Sequence, residues 1–119
     1  MLDDNNFLDI LKGEKLSSVT FVMDYLQIDF DGNRFTLNVW PDVNIDNRIC
    51  RFGDPSYRDN FCLLIGKVVS NVSFKTDESL IFNFSDNANL SLSLDPDNSE
   101  INSPEIFTFN DVNNKFYVF

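Results

Sequence analysis

Leu26-Gln27-Ile28-Asp29-Phe30-Asp31-Gly32-Asn33-Arg34-Phe35-Thr36-Leu37-Asn38-Val39-Trp40 is the stretch whose reading decides the fold. Apolar side chains fall at Leu26, Ile28 and Phe30 and again at Phe35, Leu37 and Val39, with polar residues between them. That period of two is the mark of strands buried on one face, and Gly32-Asn33 between the runs predicts a hairpin turn. The pattern recurs in Leu80, Phe82 and Phe84, a polar turn at Asp86-Asn87, and Leu90, Leu92 and Leu94.

The recurrence reaches beyond the hairpin. Leu11, Gly13, Ser17, Val19, Phe21 and Asp24 match Leu64, Gly66, Ser70, Val72, Phe74 and Asp77 at an offset of 53 residues. Past the next turns Leu26 and Phe30 match Leu80 and Phe84, and then Leu37 and Pro41 match Leu92 and Pro96. Residues 49–54 resemble residues 106–111. An offset that grows only in turns, where insertions are tolerated, is what a duplication leaves behind. Each copy opens with an expected short helix, from Phe7, Leu8, Ile10 and Leu11 before Gly13, and from Phe61, Leu64 and Ile65 before Gly66. Asp3-Asp4-Asn5 and Asp54-Pro55-Ser56 supply the N-terminal signals. Strands are expected over residues 16–23, 25–30, 34–40 and 48–52, over 68–75, 79–84, 89–94 and 105–109, and over a closing segment, 115–119. The expected fold is therefore α+β and β-rich, one domain over residues 1–119 with copies near 5–54 and 58–111. It is expected to form one curved sheet or a barrel-like sandwich with two short helices.

A chain of 119 residues with 43% hydrophobic residues and 13 phenylalanines buries a real core, and one core is the default at this length. Charged and amide side chains interrupt every apolar run, so no membrane span is expected. The acidic start, Met1-Leu2-Asp3-Asp4, is unlike a secretory signal and points to the cytoplasm. Without histidine, and with Cys50 and Cys62 outside any metal spacing, zinc binding and histidine-based catalysis are not expected. Both thiols are expected to be buried, reduced and unpaired. No cofactor is implied. The net charge of −10 disfavours nucleic acid and anionic membranes and favours a basic partner.

Several groupings of side chains invite a chemical reading. Paired carboxylates, for instance Asp29 and Asp31 on one outward face near Asp24, are the only plausible chemistry, yet nothing local covers one of them to raise its pKa for acid catalysis. Asp42, Asn44, Asp46 and Asn47 crowd one loop and Asp95, Asp97, Asn98 and Glu100 another, without the spacing or glycine of an EF-hand. Turn chemistry accounts for both. Trp40 falls in the outward phase of its strand beside Thr36 and Asn38, the makeup of an interface anchor. Residues 51–58 bring arginine, acid and an aromatic together in one loop, with Asp54 and Tyr57 as a second patch. The candidate partner-binding residues are thus Asp24, Asp29, Asp31, Trp40, Asp54 and Tyr57, with no catalytic and no metal-binding residue.

In its short acidic chain, cytoplasmic character and lack of catalytic groups, the protein resembles the immunity proteins that bacteria use to neutralise polymorphic or contact-dependent toxins. That resemblance implies a cognate toxin domain such as a nuclease whose basic cleft an acidic protein blocks; no enzyme activity is expected, and the chain is expected to be a monomer or homodimer. Two alternatives come from other classes. A β-barrel-like domain can bind a small ligand or act as an enzyme at its mouth, and exposed edge strands can build a homo-oligomeric structural subunit.

Overall fold

The computed structural model describes residues 6–95 and 106–119. Among them run β1 (Ser18–Phe21), β2 (Leu26–Phe30), β3 (Asn33–Leu37), β4 (Asp42–Ile45) and β5 (Arg48–Cys50), then β6 (Val69–Lys75), β7 (Ser79–Phe84), β8 (Ala88–Ser93), β9 (Phe107–Asn110) and β10 (Phe116–Val118). A 3-10 helix over Asn6–Leu11 precedes β1, and the α-helix α1 (Tyr57–Cys62) precedes β6. The N-cap signal at residues 3–5, the second acidic loop at residues 97–100 and the start of the strand expected from 105 lie outside the described residues.

Alternation became burial as expected in the hairpins. Leu26, Ile28, Phe30, Phe35 and Leu37 are buried in sheet one, as are Leu80, Phe82, Phe84, Leu90 and Leu92 in sheet two. The first sheet has the order β1-β2-β3-β9-β10 and the second β5-β4-β8-β7-β6, with every pairing antiparallel. Their inner faces meet through phenylalanine. Phe82 stacks on Phe30 at 5.6 Å and meets Phe35 edge-on at 4.9 Å, while Phe35 stacks on Phe109 at 4.4 Å. Such contacts between aromatic rings add to the stabilisation from burial itself, and here they fill the layer between the sheets.

The expected fold class is corrected in three respects. The described chain is 48% strand and 10% helical, its strands make two separate five-stranded sheets that do not close, and only the second of the two expected helices is α-helical. The first is a 3-10 turn in which Leu8 and Leu11 are buried but Ile10 is exposed, as Ile65 is in the second copy. Residues 42–47, read as an oxygen-rich loop, form β4 and a tight turn into β5. Val43 is buried there while Asp42 and Asn44 keep the outward positions, so polar outward residues disguised a four-residue strand. The turn of the first hairpin also shifts by one residue. Asp31 and Gly32 are its central pair, both at positive φ (54° and 102°), and Asn33 is buried in β3. Positive φ at both central positions matches the twist of the flanking strands. Asn33 Nδ2 donates to the Phe30 carbonyl at 3.1 Å, and its Oδ1 accepts from Val112 N at 3.2 Å.

Candidate functional site

Strand direction divides the molecule into two ends. The β2–β3, β4–β5, β7–β8 and β9–β10 turns share the near end, where Asp46 N donates to Asn87 O at 3.0 Å and Asn33 meets Val112. The far end carries the β1–β2 and β6–β7 turns, the crossing from β3 to β4 and the loop from β5 to α1.

At the far end, β3 stops at Leu37, and Val39 turns inward while Trp40 is half-buried on the rim of the core. Its ring stacks on Phe52 at 4.4 Å and 15°, and Phe52 meets Tyr57 edge-on at 5.8 Å. The aromatic series continues inward from Tyr57 to Phe61 and Phe21, with the Arg58 guanidinium 5.8 Å above the Phe21 ring. Tyr57 itself is buried, and its hydroxyl donates to the Pro41 carbonyl at 2.5 Å. Burial raises its pKa well above the ordinary phenol value, and the neighbouring Asp42 and Cys50 push the same way. Tyr57 is therefore a strut. The exposed aromatic of this loop is Phe52, at 52%. Asp54 shapes the loop from within, its carboxylate accepting from Arg51 N at 2.7 Å.

The candidate residues do not gather into one patch. Trp40, Asp54 and Tyr57 come together at the far end, where Asp24 is also exposed in the β1–β2 turn. Asp29 and Asp31 stand at the near end, about 17 Å from Asp24 by the rise of a strand. Asp29 is already engaged: its carboxylate pairs with Arg34 at 3.1 Å and accepts from Gly32 N at 2.6 Å. Asp31 is exposed in the turn itself. Residue pattern missed Phe52, because continuing the alternation of β5 from the buried Cys50 turns it inward, whereas the strand ends at Cys50.

Beside this cluster, an open cleft of about 700 Å³ runs between α1 and the β4–β5 hairpin. Val43, Ile45, Ile49, Cys50, Pro55 and Leu63 line it with Asp46, Arg48, Asp54, Ser56 and Asn60. The Cys50 thiol lies 3.7 Å from the Ser56 hydroxyl. Cys50 is buried as expected, but Cys62 is exposed on α1, a correction to the expectation that both are covered; neither is in a disulfide. Among the described residues no group of His, Cys, Asp and Glu is placed to hold a metal ion, and no helix is long and apolar enough to cross a membrane.

Charge is distributed unequally between the ends. The near end, with the 3-10 helix that leads into it, sets Asp9, Glu14, Asp29, Asp31, Asp46, Asp86 and Asp111 against nearly as many cations, Lys12, Lys15, Arg34, Arg48, Lys67 and Lys115. At the far end Asp24, Asp42, Asp54, Asp59, Asp77, Glu78 and Asp95 face only Arg51, Arg58 and Lys75. The acidity of the described chain is thus concentrated where Trp40 and Phe52 stack. No family model matches the chain, and neither a curated protein nor a solved structure does.

Proposed function

We propose that this protein is an acidic, cytoplasmic protein-binding module that captures a basic partner with its far end, acting as an immunity protein that blocks a toxin domain such as a nuclease. The observation that carries the reading is the coincidence of the net-acidic end with the exposed Phe52–Trp40 stack. An apolar anchor ringed by charge is the composition of an interface hot spot, and a one-signed field around it steers an oppositely charged partner in. The phenylalanine-filled layer between the sheets favours this over a ligand enclosed in a barrel.

Co-expression tests the reading. The basic product of the gene beside this one, induced alone in a bacterial host, is expected to arrest growth, and co-induction of this chain is expected to restore growth and yield a stable complex. A neighbouring product that is harmless, or whose toxicity persists despite the co-expressed chain, contradicts the immunity function.

A further inference from the structure

The strand orders of the two sheets interchange. Replacing β1 to β5 by β6 to β10, and β6 to β10 by β1 to β5, converts β1-β2-β3-β9-β10 into β6-β7-β8-β4-β5, which is the second sheet. Registers follow. Val19 opposes Ile28 as Val72 opposes Phe82, and Leu26 opposes Leu37 as Leu80 opposes Leu92. Across the junction Phe35 opposes Phe109 as Leu90 opposes Val43.

The two halves also meet reciprocally. Gly13 N donates to Val69 O at 2.9 Å, and Gly66 N to Leu16 O at 2.7 Å; Leu16 N donates to Lys67 O at 3.1 Å, and Val69 N to Glu14 O at 2.8 Å. Each pair of bonds becomes the other when 53 is added to the residue numbers of one half and subtracted from the other, and the bridge Lys15–Val68 maps onto itself. A contact in which i meets j and j meets i is the signature of a two-fold axis. Gly13 and Gly66 sit at φ 83° and 93°, so the recurring glycines turn both helices toward that axis in the same way.

We infer that the chain is a covalently joined, strand-exchanged pair of one five-stranded unit. Each half builds a three-stranded meander in one sheet and completes the other sheet with its last two strands, so neither half closes a sheet alone. The unit then pairs β4 with β9 and β5 with β10, which carries the second copy to Phe119 instead of ending it near residue 111 and sets aside the sequence match of residues 49–54 to 106–111. The acidic end shares the symmetry in part: Asp24 and Asp77 change places and Phe119 takes the place of Phe52, but Phe52 stacks on Trp40 at 4.4 Å whereas Phe119 stacks at 4.6 Å on Phe107, the counterpart of Pro41. This inference is independent of what the protein binds.

The axis places Phe119 where Phe52 stands, and residue 6 where residue 59 stands. Residues 53–58 make the one connection, and residues 1–5 offer nearly the same length for the other. The test is a circular permutant with Phe119 joined to Met1 and opened between Gly53 and Asp54, beside a second permutant with the same joint opened between Asp31 and Gly32. The first is expected to be a folded monomer with a thermal midpoint within about 10 °C of the parent and with the amides of Leu16 and Val69 still protected from exchange. If neither permutant folds, the ends are not related as the axis requires. If only the second folds, the 53–58 connection is not equivalent to the new joint, and the inference is equally overturned.

Discussion

Two aromatic residues at the far end, Phe52 and Tyr57, divide their work by burial. Phe52 is half exposed and meets the core only at its edge, through Tyr57, so Phe52→Ala is expected to leave thermal stability nearly intact. The same substitution should weaken partner binding by about 2 kcal/mol, chiefly through faster dissociation measured by surface-based kinetics. Tyr57 is the contrasting case. Its hydroxyl holds the Pro41 carbonyl, so Tyr57→Phe is expected to cost about 1–2 kcal/mol in denaturant unfolding. Its folded pKa lies above the unfolded one, so the protonated phenol contributes stability that is fully present below about pH 10 and declines as the pH rises beyond it. A pH series of melts is expected to show a steeper alkaline loss for the parent than for Tyr57→Phe. At the opposite end, Gly32 has φ 102°, and a Cβ there would lie 2.9 Å from Val112 Cγ1. Gly32→Ala is therefore expected to destabilise by about 1–2 kcal/mol, while a glycine whose added Cβ meets nothing, such as Gly53, should bear only the backbone strain.

Elements differ in how far residue pattern revealed them. The hairpins of residues 26–37 and 80–92 were legible because nearly every core position is a large apolar residue and nearly every outward position is polar, Asn33, Ala88 and Ile81 being the exceptions. Strand β4 was not. Asp42-Val43-Asn44-Ile45 alternates too, but two inward residues among acids and amides resemble turn chemistry until β8 pairs with them. The first helix was legible in position and not in type, since helical stripes do not separate a six-residue 3-10 turn from an α-helix. Site residues were harder still: Trp40 keeps the half-exposed phase of Thr36 and Asn38, but no local pattern announces that its ring lies on Phe52. Cysteine burial on α1 offers a direct check of the element as built. Brief alkylation of the folded protein is expected to label Cys62 and spare Cys50, with two labels appearing after denaturation without reductant. Equal native labelling of both would mean that Cys50 at the end of β5 is not buried as the structure has it.

Across the whole molecule, the net charge of −10 was plain from composition, whereas the excess of acids at one end among the described residues depends on which turns the topology brings together. Asp24 and Asp77 are distant in sequence and share an end only because both sheets run their meanders in the same sense. Under the proposed function, attraction of a basic partner is expected to belong to that end as a whole and to be screened by salt over about 8–10 Å at ordinary ionic strength. The measurement that tests this most directly is stopped-flow association with the basic partner that co-expression identifies, at low and high salt, for the Asp24→Lys/Asp77→Lys and Asp31→Lys/Asp86→Lys pairs. Reversal at the far end is expected to slow association about tenfold or more at low salt and to flatten its salt dependence, with the near-end pair close to the parent. An equal or larger effect from the near-end pair, or none from either, would contradict binding through the acidic end.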